Sequence, residues 1–477
     1  MIGVHSVADI RTAENDLMAR LPDGALMQRA VAGLTTTVAR LLDGPYGARV
    51  TVLAGGGNNG GDALWAGARL ARRGARVDAV LLRPEHAHAE GLAALRAAGG
   101  RVVAGAASTA AESAVRRADV VLDGILGIGG RGGLDDEAAD LAAVAHDHAG
   151  LVVAVDLPSG VVPDTGETPG RHVVADVTVT FGTGKVALVL DPAAAAAGSV
   201  HAVDIGLGPY LPDPDVEVLE PADVAALLPR PGRESDKYAR GVVGVLAGSQ
   251  QYTGAAMLAV GGAVHGGAGM VRYCGPDAVA AGIRMRWPEV IVSPDVESTG
   301  RVQAWTVGSG LGSRRPAEVS AEGVPVLVDA DALAAVPARF VRPALLTPHA
   351  GELARMLDVD RAEVEAHRLR HARQAAERWN ATVLLKGSTT LVVAPDGRMR
   401  INPTGTSALA TAGTGDVLAG LAGSLLAAGL TPLDAGSVAA YVHGEAGRLA
   451  AADTGYPSAG DVLEHVPAAL WSLRRTA

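Results

Sequence analysis

Aromatic side chains are scarce in this sequence, 3% of 477 residues with only 2 Phe. Its cores must therefore be assembled from Ala, Val and Leu, small side chains that let helices lie close on a sheet. The single cysteine, Cys274, excludes an internal disulfide and a cysteine-rich zinc site, and suits a reducing cytoplasm. Charged residues reach only 19% and the formal balance is −10, which argues against a broad nucleic-acid-binding face but leaves room for local basic pockets around phosphates. No uninterrupted apolar run is long enough to span a bilayer, and the opening MIGVHSVADIRTAENDL lacks the basic and apolar stretches of a secretory leader. A soluble cytoplasmic protein without membrane contact is expected.

Glycine, by contrast, is abundant at 62 residues, and the length exceeds the roughly 100–200 residues of one typical domain. Short β-branched runs alternate with Ala/Leu-rich helical stretches, the pattern of βαβ units around parallel sheets. The first series includes Val50–Ala54, Val77–Leu82, Val120–Asp123, Leu151–Val155 and Val177–Phe181. The pattern lapses in the proline- and acid-rich stretch around 206–231, then resumes at Val242–Ala247. This predicts two doubly wound α/β domains, 1–212 and 229–477, joined by a linker over 213–228. Ligands of such folds sit at the carboxyl ends of strands, so motifs there carry the most functional weight.

In VTVLAGGGNNGGDALWAG the residues Gly55–Asp62 read as a loop before a helix that begins near Ala63. Gly55, Gly57 and Gly60 satisfy G-x-G-x-x-G, with Asp78 near the place of a ribose-binding acid, but so glycine-rich a chain makes that match weak. Asn58, Asn59 and Asp62 add amides and a carboxylate that a dinucleotide turn does not need. Later strand ends bring Asp123 with a glycine run and Arg131 in LDGILGIGGRGG, and Asp156 and Ser159 in VDLPSG. Asn59, Asp123 and Ser159 together offer oxygens suited to a hard, weakly charged cation such as sodium or potassium.

The second half carries GSQQYTGAA, GSGLG, DADAL, TPHAGE, LLKGSTTLV and AGTGDVLAG in that order. Gly413-Thr414-Gly415 precedes an apolar helix, so its N–H groups can cradle a phosphoryl charge, and Asp416 could take a proton from an attacking hydroxyl. Lys386 ends a strand before Gly387, a sensible place for a phosphate-facing cation, while Asp329 and Glu352 are candidates to organise magnesium or water. His367 and His371 stand at metal-ligand spacing, but their Arg and Glu neighbours read as a solvated helix face.

GGGNNGGD, LDGILGIGGRGG and VDLPSG together resemble the NAD(P)H-hydrate epimerases over roughly residues 1–210. The resemblance implies a Rossmann-like three-layer domain that interconverts the R and S forms of hydrated NADH or NADPH with a potassium ion. On the matching positions, Asn58, Asn59, Gly60, Gly61 and Asp62, then Gly127, Ile128, Gly129, Gly130, Arg131, Gly132 and Gly133, and Asp156 would contact the hydrate. Asn59, Asp123 and Ser159 would ligate potassium, and Asp156 would be the catalytic acid/base.

The later motifs resemble the ADP/ATP-dependent NAD(P)H-hydrate dehydratases, a ribokinase-like fold, over roughly residues 225–475. That implies removal of water from the S hydrate with ADP and magnesium, in an assembly of identical subunits. By position, Ala255, Gly312, His349 and the catalytic Asp416 would meet the hydrate; Lys386, Gly387, Ser388, Thr389, Thr390 and Gly415 would hold the nucleotide. The GTGD helix alone would equally suit a ribokinase-like kinase of vitamin precursors with an N-terminal ligand-binding module.

Overall fold

The computed structural model describes residues 1–312 and 323–475, and the chain divides into two compact units: Gly3–Pro214, and Asp215–Ala477 together with Met1–Ile2. The sheet of the first unit runs, edge to edge, Arg101–Val103, Arg76–Leu81, Arg49–Ala54, Val120–Gly124, Val152–Val155, Val177–Phe181 and Ser199–Val203. All neighbouring strands are parallel. Numbered along this unit their order is 3-2-1-4-5-6-7, so the winding reverses between Arg49–Ala54 and Val120–Gly124 and opens a crevice at their carboxyl ends.

Period-two alternation within these strands feeds two cores. Val52, Leu122 and Val153 face helices Ala25–Leu41 and Asn58–Arg72, whereas Leu53, Val121 and Val152 face Thr109–Arg116 and Asp136–His148. The glycine loop is shorter than its sequence suggested. Gly57, at φ 86°, turns the chain directly into helix Asn58–Arg72, which places Asp62 in the second turn rather than ahead of the helix. Gly55 is required for closeness: a Cβ there would lie 2.0 Å from the Ile125 carbonyl oxygen.

Among the described residues the second unit's own strands number ten and form one sheet. Its parallel part runs Ile291–Ser293, Met270–Cys274, Val242–Leu246, Ala304–Val307, Val326–Val328, Ala344–Leu346 and Thr382–Leu385. Thr390–Val393 and Met399–Asn402 continue it in antiparallel fashion. Helices Thr253–His265 and Thr414–Ala427 cross this sheet in close contact; a Cβ on Gly420 would come within 1.9 Å of the Ala259 carbonyl. Small residues thus do the packing that aromatic side chains do elsewhere.

Two expectations are corrected here. The segment 213–228 is no linker: it forms strand Val216–Val218 and helix Pro221–Leu227, with Leu219, Val224 and Leu228 in the core of the second unit. Its prolines mark turns and a helix start (Pro221 at the first helical position), so a proline count misreads it. Helix Arg368–Trp379 does not present His371 to solvent; Arg368 and His371 are both buried, because this face covers the hairpin that follows Thr382–Leu385. No helix among the described residues is long and apolar enough to cross a membrane.

Candidate active sites

Asp156 immediately follows strand Val152–Val155 and adopts φ 69°, a conformation that aspartate tolerates better than most residues and that is common where function dictates the backbone. Its Oδ1 accepts hydrogen bonds from Lys185 Nζ at 2.7 Å and Thr180 Oγ1 at 3.1 Å. Lys185, 2% exposed, donates also to Thr180 Oγ1 and the Phe181 carbonyl, so all three ammonium protons have a partner. The pair opens onto a cavity of about 530 Å³ whose wall includes Asn58, Asn59, Asp62, Gly127, Ile128 and Gly129. Burial first, then the charges of Asp156 and Glu14, push the Asp62 carboxyl well above the usual range. Burial and Asp156 raise Glu14 as well, and Lys185 and Arg11 oppose them.

Beside this cavity Asp123 is wholly buried. Its oxygens accept from Ser159 Oγ at 2.6 Å, Ser159 N at 2.8 Å and Ile125 N at 3.2 Å. Burial nevertheless lifts its pKa to about 6 against those hydrogen bonds. Asn59 reaches the neighbouring Gly127, where an added Cβ would lie 2.9 Å from its Oδ1, and its buried Nδ2 has no partner among the described residues. A fully buried carboxylate among neutral oxygens, with no cationic side chain among its hydrogen-bond partners, fits a monovalent cation better than an empty space.

Other expected contacts are not brought to the cavity. Arg131 is exposed, and Gly130, Gly132 and Gly133 turn away: Gly133 N donates to the Gly160 carbonyl at 2.7 Å, and Gly132 abuts Pro169. Gly60 and Gly61 lie inside the first helical turn, where a Cβ would strike the Gly55 carbonyl or the His88 ring. Asp78 pairs with Arg101 at 2.8 Å across neighbouring strands, which leaves the G-x-G-x-x-G pattern without its ribose acid.

In the second unit Asp416 stands in the first turn of helix Thr414–Ala427, behind Gly413 in the left-handed region. Burial and then Asp329 push its carboxyl up to about 6, while a hydrogen bond with Ser309 and the charge of Lys386 oppose the rise. Lys386 follows strand Thr382–Leu385 and donates to Asp329 Oδ1 at 2.9 Å, with Glu352 Oε2 at 3.6 Å. Burial disfavours its charge, but Asp329 and Glu352 outweigh that and raise its pKa. The two carboxylates considered for magnesium are thus engaged by Lys386.

His349 caps helix Ala350–Leu357: its Nδ1 accepts from Gly351 N and Glu352 N, and its own N–H donates to Glu352 Oε2. Lys386, Gly387, Ser388, Thr390, Gly415 and His349 line a cavity of about 480 Å³. Thr389 does not; its carbonyl accepts from buried Arg368 Nη2 at 2.8 Å. Gly312 N donates to Asp331 Oδ2 and borders a different cavity of about 730 Å³ with Glu352. Ala255 sits against the same GSGLG turn, 2.8 Å from where a Cβ on Gly310 would be.

A family model for the YjeF-related protein N-terminus matches residues 23–187, and one for NAD(P)H-hydrate dehydratase matches residues 243–467. Over 98% of its length the chain is 46% identical to a bifunctional NAD(P)H-hydrate repair enzyme of Mycobacterium leprae, covering 99% of that protein. The chain belongs to the bifunctional NAD(P)H-hydrate repair enzymes. A Moorella thermoacetica repair enzyme is 35% identical, with 97% of this chain and 95% of that one covered. The crystal structure of a Bacillus subtilis ADP/ATP-dependent NAD(P)H-hydrate dehydratase, co-crystallised with ATP/Mg2+, is similar at TM-score 0.50 and 30% identity over 54% of this chain and 99% of that one.

The cavities also bring in residues that sequence reasoning passed over. Lys185 is the main one, and its signal was present: a single cation in the apolar run VTVTFGTGKVALVL needs a buried partner. His443 gave a similar sign within AAYVHGEAG; it lines the cavity of Lys386, and burial lowers its pKa to about 4. Glu14 had no signal, because helix Val7–Met18 reaches the cavity only through the tertiary fold.

Proposed function

We propose that the first unit interconverts the R and S forms of hydrated NADH and NADPH, and that the second restores the S form to NADH or NADPH while ADP is consumed to AMP and phosphate. The observation that carries this reading is a carboxylate beside a glycine-lined cavity in each unit: Asp156 with Gly56, Gly57 and Asn58, and Asp416 at the start of a helix whose Gly415 borders the Lys386 cavity. In the first, Asp156 accepts or returns a proton on the oxygen that leaves or joins the hydrated ring carbon. A potassium ion among Asn59, Asp123 and Ser159 would neutralise the buried Asp123 and steady the loop that follows it.

In the second, Asp416 takes the proton of the ring hydroxyl as it attacks the terminal phosphorus of the nucleotide, and backbone N–H groups at the helix start receive the phosphoryl charge. Phosphate then leaves with the C–O electron pair, and a proton lost from the neighbouring ring carbon supplies the pair that reforms the ring double bond. The bound ATP/Mg2+ of the Bacillus subtilis structure supports magnesium as the companion of the nucleotide here. Among the described residues no group of three acidic, His or Cys side chains is poised for a metal, which suits an ion held chiefly by phosphate oxygens and water.

The deciding assay incubates the purified protein with the mixed hydrates and ADP, ATP or neither, and follows recovery of absorbance by the reduced ring. Complete recovery with ADP is expected. Recovery of only the S fraction would remove the first activity. A stable phosphorylated product would favour the kinase alternative.

A further inference from the structure

The first site contains a second carboxylate that the Asp156–Lys185 pair leaves unused. Asp62 is 8% exposed, and its buried Oδ1 has no hydrogen-bond partner among the described residues. It borders both the 530 Å³ cavity of Asp156 and an adjoining cavity of about 540 Å³ that shares Glu14, Asn58 and Phe181. An uncompensated buried carboxylate is costly, and a neutral carboxyl is the cheaper form at such a place. The raised pKa of Asp62 agrees with that argument. One wall therefore presents a carboxylate held by an ammonium group, and another a carboxylic acid with a free oxygen.

The chemistry of the hydrate needs both. A dihydronicotinamide is an enamine, so water adds on the carbon next to the ring nitrogen; inversion by loss and return of that water breaks the C–O bond and reforms it from the opposite face. We propose that Asp62 is the catalytic acid that protonates the departing hydroxyl, and that Asp156 receives the proton of the water that adds; this rests on the epimerase reading above. The C–O electron pair leaves with oxygen, which takes the Asp62 proton and departs as water, while the nitrogen lone pair forms the C=N bond of an iminium. A water then bonds to the opposite face, gives a proton to Asp156, and returns the C=N pair to nitrogen. Nothing is oxidised or reduced. One proton has moved from Asp62 to Asp156, and the reverse turnover or exchange through cavity water restores it.

The charged and titratable groups lining the two cavities that Asp62 borders are Arg11 and Glu14 from helix Val7–Met18, Asp23 ahead of helix Ala25–Leu41, Asp156 and Lys185 from the strand ends, and His88 and Glu90 at the start of helix Ala89–Ala97. The test uses the full chain with Asp62→Asn, which preserves shape but cannot donate a carboxyl proton. Expected is a loss of about a hundredfold or more in R-to-S interconversion. Uptake of ¹⁸O from labelled water into the ring hydroxyl should slow in parallel, while hydrate binding stays within about threefold and dehydration of pure S hydrate is unchanged. The wild-type interconversion rate should fall as pH rises through the Asp62 titration, and Asp62→Glu should restore that alkaline limb.

Interconversion by Asp62→Asn within about threefold of wild type, with Asp156→Asn inactive, would overturn the proposal and leave the epimerase reading intact. So would interconversion without ¹⁸O uptake, a measurement on the unmodified protein that decides even if the variant does not fold. A wild-type protein that interconverts nothing would instead overturn the epimerase reading itself.

Discussion

Each unit sets a lysine among carboxylates at its strand ends, but the two lysines engage different partners. Lys185 binds the proposed acid/base itself, Asp156, and is 2% exposed. Lys386 binds Asp329 and Glu352 instead; among the described residues the proposed base Asp416 has no direct ion pair, and burial lifts its pKa to about 6. The difference follows the chemistry. A carboxylate that takes the proton of an adding water is served by a fixed neighbour, with Asp62 as the proposed neutral acid for the other half. A carboxylate that deprotonates a hydroxyl works best when its pKa lies near the ambient pH.

The largest effect that would sharpen this contrast is expected from Asp416→Asn. ADP-dependent recovery of the reduced ring from S hydrate should fall by about 10²–10⁴-fold, with R/S interconversion untouched. In the wild type the active form is the carboxylate, so the dehydration rate should decline as pH drops below about 6. A flat acid limb would mean that Asp416 is not the base.

Next comes Lys185→Met, which strands Asp156 in a buried position. Breaking one partner of a buried pair should cost about 3–5 kcal/mol in the denaturant-induced unfolding of the first unit, and adding Asp156→Asn should recover much of it. A loss below about 1 kcal/mol would show that the pair behaves as a surface ion pair and dissolve the contrast with Lys386.

A smaller effect concerns potassium. The folded pKa of Asp123, about 6, lies above its ordinary 3.8, so the folded state holds that proton more tightly. This group therefore weakens stability at neutral pH, and the penalty is relieved as pH falls through about 6. A bound monovalent cation should remove the penalty at neutral pH. Thermal unfolding in potassium chloride against choline chloride should show a gain of about 1–3 kcal/mol that fades by about pH 5. No potassium dependence at either pH would remove Asn59, Asp123 and Ser159 as a cation site.

The smallest is Asp78→Ala, which removes an exposed ion pair with Arg101. Stability should change by less than about 1 kcal/mol and both activities should persist. A marked loss of hydrate binding would revive the dinucleotide-turn reading of Gly55, Gly57 and Gly60.

The strands that carry both sites were legible because each is a short β-branched run closed by a glycine or aspartate: Val120–Gly124 ends near Asp123, Val152–Val155 before Asp156, and Thr382–Leu385 before Lys386. Boundaries were less so. Gly57 starts its helix several residues earlier than the glycine run implied, and the prolines around 213–228 conceal a strand and a helix. Motif continuity also overreached: Gly130–Gly133 and Thr389 belong to runs whose other members line cavities, yet turn and hairpin geometry directs them elsewhere.

The sequence by itself determined that two α/β units follow one another, which strand ends bear chemistry, and that small residues build the cores, since these depend on periodicity and residue type along a local stretch. Only the tertiary structure decided which lysine faces which carboxylate, that Glu14 reaches the cavity of Asp156, and that Asp62 keeps an oxygen without a partner. Ion pairing and desolvation act over a few ångströms in space, between residues as far apart in the chain as Asp329 and Lys386, and no local pattern encodes those distances.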